Sequence, residues 1–188
     1  ELFADAGLDL RTALIRRTAG ALLAAENPID EARFLKQRLL ALAHDADLVL
    51  DLHCDFEALI HVYLGTPLWP EAADLSRQLG AEVTLLAEHS GVTPFDEAAS
   101  RIWWQLAARF PQHPIPSACL AATVELRGVA DVDHARAAAD AGNLLRFLQR
   151  RGVVQGDPGP LPPLPREATP LAGVEHITAA GPGVVVFR

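Results

Sequence analysis

The stretch Asp47-Leu-Val-Leu-Asp-Leu-His-Cys54 decides how the rest of the chain is read. Its side chains alternate. Leu48, Leu50, Leu52 and Cys54 fall on one face, and Asp47, Val49, Asp51, His53 and Asp55 on the other. The apolar residues come early and the polar ones late. A buried strand that emerges into a polar site at its C-terminal end has this pattern.

Strand signals recur downstream, with helical segments between them. Leu59–Leu64 (LIHVYL), Ala81–Ala87 (AEVTLLA) and Ala118–Leu126 (ACLAATVEL) read as strands. Arg11–Ala25 reads as a helix weakened by Gly20. A second helix is expected to start at Asn27 as N-cap with Pro28 at its first position, and to run to about His44. Pro70–Leu79 reads as a helix closed by Gly80, and Phe95–Phe110 as one ended by Pro111. A long Ala-rich helix is expected from an Asp131 N-cap through Leu148, with Arg150, Arg151 and Gly152 at its end. Strands alternating with helices predict an α/β domain with a mixed, largely parallel sheet. Gly156–Pro165 (GDPGPLPPLP) reads as a linker. Beyond it, Val174–Ala179 and Val184–Arg188 read as two strands that begin a small β domain. The expected division is therefore 1–155, 156–165 and 166–188.

Composition narrows the function classes. The chain has 188 residues, half of them hydrophobic and 21% charged, which is a globular balance. A net charge of −8 argues against a nucleic-acid partner. No apolar run approaches the roughly 20 residues of a membrane-spanning helix, and no signal peptide is visible. Two cysteines do not make a disulfide framework, so the expected compartment is the cytoplasm. The chain lacks methionine and starts at Glu1, and is read as a segment of a longer protein.

Two residues stand out as chemistry. His53 ends an apolar strand between Asp51 and Asp55, where a carboxylate can fix an imidazole's tautomer and strengthen it as a metal ligand. The plainer reading is a strand-end histidine paired with an acid. Glu125 ends an equally apolar strand, where a charge is costly unless paired or used. It is either a general base or the partner of Arg127, two residues on. Cys119 reads as a core residue, and a Cys54–His53 nucleophile pair is disfavoured because the two point to opposite faces. One of Trp103 and Trp104 is expected in the core and the other at a surface.

Residues 45–55 (DADLVLDLHCD) and 121–128 (AATVELRG) resemble the succinylglutamate desuccinylase/aspartoacylase family, zinc-dependent deacylases related to the zinc carboxypeptidases. The resemblance covers about residues 27 to 155. It implies a three-layer zinc-carboxypeptidase-like α/β domain and often a small C-terminal β domain. It implies that His53 is a zinc ligand and Glu125 the catalytic glutamate, and that Arg127 is a structural or substrate-orienting partner. Asp9-Leu10-Arg11 faintly echoes the pair that grips a substrate carboxylate, without its Asn, so Arg11 is a substrate-binding candidate. The family's His-x-x-Glu motif is absent from the sequence and is expected before Glu1, as is the N-terminal part of the domain. The implied activity is hydrolysis of N-acyl amino acids or similar small acyl amides, with one Zn2+ per full-length chain and a small substrate carrying a carboxylate. The alternatives are a zinc carboxypeptidase and a metal-free binding module of the same fold. Homo-oligomerisation stays open.

Overall fold

The alternation in the opening stretch is realised as strand β1, Leu48–Asp55. In the computed structural model, which describes residues 7–184, the elements run α1 (Leu8–Ala25), α2 (Glu31–Ala43), β1, β2 (Ile60–Gly65), α3 (Ala73–Leu79), β3 (Val83–Ala87), α4 (Phe95–Arg109), β4 (Leu120–Gly128), α5 (His134–Arg150) and β5 (Thr169–Pro170). One five-stranded sheet has the order β1-β4-β2-β3-β5. Three of its pairings are parallel, and only β2 and β4 run antiparallel. The sheet is therefore mixed and largely parallel, as expected.

Period-two alternation in the strands sorts the core into two layers. Val62, Leu64, Ala122 and Val124 face α3 and α5, where Leu75 and Phe147 have no exposed surface. Burying a side chain of that size contributes roughly 1.5–3 kcal/mol. On the other face Val49, Ala121 and Cys119 meet Ile15 of α1 and Ala99 and Trp103 of α4. Helix, sheet and helix thus stack in three layers. Trp103 fills the core, while Trp104, one residue on, packs partly buried against the opposite cluster.

Several boundaries differ from expectation for local reasons. Helix α2 starts at an Asp30 cap, whose carboxylate accepts the Arg33 N–H at 2.8 Å; Asn27 and Pro28 lie before it. Helix α5 is capped by Asp133, which accepts the Arg136 N–H at 2.8 Å, and not by Asp131. Asp131 instead accepts the Gly128 N–H at 3.2 Å, so its carboxylate closes the end of β4. In both cases the acid three residues before a helical N–H wins the cap. Gly80 closes α3 as expected, with a left-handed φ of 67°.

The proline-rich stretch 156–165 is irregular but held. Arg77 of α3 donates to the Pro162 carbonyl at 2.6 Å, and Arg150 of α5 to the Gly159 carbonyl at 2.9 Å. Val174–Ala179 forms no strand; the strand after the linker is instead Thr169–Pro170, which joins β3 in parallel as β5. Of the second expected strand, residues 185–188 lie outside the described residues. Among the described residues no helix is long and apolar enough to cross a membrane. Cys54 and Cys119 are both free thiols.

Candidate active site

Parallel pairing of β1 and β4 sets His53 beside Glu125 and Asp51 beside Thr123. The register then slips between His53 and Asp55, an irregularity that ends the regular ladder at the histidine. Antiparallel pairing on the other side sets Tyr63 beside Thr123 and His61 beside Glu125. Direct partners on neighbouring strands share a face. Asp51, His53, Tyr63, Thr123 and Glu125 therefore converge on one side of the sheet.

These residues floor a cleft of about 450 Å³. Its other wall is the loop from Ser90 to Pro94 and the first turn of α4, with Leu85 and Leu171 adding apolar surface. β1 is an edge strand whose last four residues are exposed, so His53 is open to this cleft. Its Nε2 lies 3.0 Å from Asp51 Oδ1. Glu125 is the opposite case: its Oε2 is buried and has no hydrogen-bond partner. Tyr63 lies close enough to feel Glu125. Burial, then the negative charges of Glu125 and Asp55, push its phenol above its ordinary value. Tyr63 is thereby held as a hydroxyl donor.

The wall is built on Glu97. Its Oε1 lies 2.8 Å from His89 Nδ1 and accepts from Arg101, and its Oε2 accepts from the Ser90 hydroxyl at 2.8 Å and the Ser90 N–H at 3.1 Å. Burial alone would raise this carboxyl, but the bonds from His89, Ser90 and Arg101 outweigh it and lower its pKa to about 2. Next to it, burial raises Asp96 from its ordinary value, with the Glu97 N–H and the Thr123 hydroxyl offsetting part of the effect.

The two expected arginines lie elsewhere. Arg127 has a left-handed φ of 74°, which breaks the strand alternation and turns its side chain away from Glu125. It makes a bidentate pair with Asp140 of α5, at 2.7 and 2.9 Å, so it is not the ion-pair partner of Glu125. Arg11 is buried in α1 and donates to the Pro114 carbonyl at 2.9 Å; it does not line the cleft. Its short echo of a binding motif falls inside α1, whose Ile15 packs with Ala99 and Trp103 of α4.

Comparison with solved structures finds similar folds. A succinylglutamate desuccinylase/aspartoacylase family protein from Shewanella amazonensis SB2B superposes with a TM-score of 0.76 at 28% identity, over 89% of this chain and 46% of that one. A second protein assigned to that family, from Shewanella frigidimarina NCIMB 400, gives 0.67 at 28% identity, over 88% and 44%. The chain is built like a succinylglutamate desuccinylase/aspartoacylase family protein. It spans less than half the length of these two structures. No model of a known protein family matches the chain, and no curated protein matches it either.

Within this desuccinylase/aspartoacylase architecture, the fit to zinc can be read from the donors present. His53, braced by Asp51, has the arrangement of a metal-ligating histidine with its orienting carboxylate. Among the described residues no group of three or more His, Cys, Asp or Glu is placed to hold a metal ion. The described residues alone therefore do not make a zinc site. Tyr63, Asp96 and Glu97 were not singled out from the sequence. Tyr63 is the chain's single tyrosine and alternates onto the site face, a signal that was present. Asp96 and Glu97 look like ordinary acids in a first helical turn, where they also favour the helix dipole.

Proposed function

We propose that the protein is an amide hydrolase of the deacylase type, acting on N-acyl amino acids or similar small acyl amides that carry a carboxylate. We further propose that it depends on zinc, with His53 among the ligands. The observation that carries this reading is Glu125 Oε2, a buried carboxylate oxygen without a partner, set in register beside His53 in one cleft. The desuccinylase/aspartoacylase neighbours support it at the level of the family.

Each described residue has a task in such a reaction. Glu125 takes a proton from the attacking water and returns it to the leaving amine, as a general base and then acid. An unpartnered carboxylate in a partly apolar cleft is suited to that, since no protein donor occupies the oxygen that takes the proton. Tyr63 donates a hydrogen bond toward negative charge that develops near the sheet. Asp51 holds the His53 ring. Glu97 fixes the wall of the cleft through Ser90. A zinc site built on His53 needs donors beyond the described residues.

The test uses the full-length protein. Glu125→Gln is expected to lower turnover of N-acyl amino acids by at least about 100-fold while bound zinc is retained. His53→Ala is expected to lose the zinc. Retained turnover in Glu125→Gln overturns the role of Glu125, and zinc indifferent to His53 overturns the metal assignment.

A further inference from the structure

Two adjacent acids at the start of α4 have opposite surroundings. Both oxygens of Glu97 are satisfied by His89, Ser90 and Arg101. Asp96 lines the same cleft, is 5% exposed, and its Oδ1 is buried with no hydrogen-bond partner. Leaving a buried carboxylate oxygen unbonded is costly, and the Thr123 hydroxyl engages the carboxyl without satisfying that oxygen. The N–H groups of Asp96 and Glu97 at the start of α4 reach the carboxyl, but they too leave Oδ1 without a partner. Glu97 already supplies a carboxylate to the first turn of α4, and the loop is tied down through Glu97 rather than Asp96.

The cleft around Asp96 has a definite chemistry. Val92, Phe95, Leu85 and Leu171 make apolar walls, and Glu125 and Asp51 add negative charge on the floor. A ligand group that satisfies Asp96 must therefore be a hydrogen-bond donor, gains from positive charge, and reaches its partner along an apolar stem. The carboxyl torsion of an aspartate is soft, so a small rotation presents an oxygen to such a group.

We propose that Asp96 is a specificity-determining residue of this cleft, and that the preferred substrate is an N-acyl amino acid whose side chain ends in an ammonium group. The assignment rests on the deacylase reading and deepens it by naming the substrate class. Asp96 accepts a charge-assisted hydrogen bond from the ammonium; Glu125 is left free for the water.

The experiment measures binding by calorimetry to full-length, metal-loaded Glu125→Gln protein, so that turnover does not interfere. The probes are Nα-acetylornithine, its isosteric uncharged analogue Nα-acetylnorleucine, and Nα-acetylglutamate. The cationic probe is expected to bind at least about tenfold more tightly than the uncharged one, the scale of one hydrogen bond to a charged group. Adding Asp96→Asn should collapse that preference to within about twofold and leave Nα-acetylnorleucine binding unchanged, which a merely structural role for Asp96 would not do. No measurable binding of Nα-acetylornithine, no preference for it, a preference for Nα-acetylglutamate, or a preference that survives Asp96→Asn overturns the inference. The first three outcomes need no substitution at Asp96, so a poorly folded variant does not shield it. Turnover by the protein with Glu125 intact separates the two readings. A preference that follows Asp96 without hydrolysis refutes the deacylase alone, and hydrolysis without that preference refutes the substrate class alone.

Discussion

Glu97→Gln should destabilise the protein by an amount that vanishes in acid. The Glu97 carboxyl is lowered from 4.5 to about 2 in the folded protein, because the donors His89, Ser90 and Arg101 outweigh its burial. A shift of that size corresponds to about 3 kcal/mol at 1.36 kcal/mol per pH unit. The His89 side chain is 57% exposed and Arg101 24% exposed, so solvent screens part of the attraction. A contribution of about 2 kcal/mol is the working figure. The sign follows from the depressed value. The stabilisation is fully present above pH 4.5, the ordinary value, and is lost as pH falls toward 2, where the folded carboxylate protonates. Glutamine keeps the shape, but its amide nitrogen cannot accept, so one set of donors loses its partner. At pH 7 the variant should therefore melt roughly 4–8 °C lower, at 2–4 °C per kcal/mol for a domain of this size. Urea melts of both proteins between pH 7 and pH 3 provide the assay. The gap should fall to less than about half by pH 3. A gap that stays constant with pH, or no gap at pH 7, would refute the claim that an ionised Glu97 holds the Ser90 loop.

Other consequences are equally direct. In Gly128→Ala the new Cβ would sit 2.8 Å from the Phe56 carbonyl oxygen and 3.2 Å from Glu57 Cα, both backbone atoms that cannot swing away. The expected cost is about 1–3 kcal/mol by chemical denaturation; an unchanged midpoint would mean the turn after β1 yields freely. Asp140→Ala removes both acceptors of the Arg127 guanidinium and leaves a charge whose side chain is 23% exposed. It should cost about 2 kcal/mol, less than a fully buried pair. A normal KM for N-acyl amino acids in that variant would agree with a structural role for Arg127, and a KM raised tenfold would return it to the substrate. Cys54 is exposed, whereas burial raises the Cys119 thiol to about 11. Iodoacetamide at pH 7.5 should therefore label Cys54 and spare Cys119 in the folded protein, and rapid double labelling would contradict the packing of β4 on α4.

What could be read in advance was what depends on short-range pattern. The alternation along residues 47–55 placed β1 to within a residue, and the apolar start of Leu120–Glu125 placed the C-terminal site of β4. Both strand-end residues then met, because a parallel pair in register brings His53 beside Glu125. The arginines lie outside the cleft for reasons that pattern cannot carry. Period-two reasoning assumes that the chain stays extended, and Arg127 leaves the extended region with φ at 74°, which sends its guanidinium across to Asp140. Arg11 lies away from the cleft because a three-residue echo says nothing about where along the sheet face its helix packs: α1 joins the same face as the site, but through Ile15 beside Val49 and Ala121, near the start of the strands. Asp96 was illegible for a third reason. Acids in a first helical turn are expected on dipole grounds alone, so only the contrast with the fully bonded Glu97 beside it marks Asp96 as unexplained. That contrast exists only once the loop, the helix and the sheet are brought together. A sequence can therefore announce a strand-end histidine, while a buried acceptor that awaits a partner becomes visible only after its neighbours have been seen to have theirs.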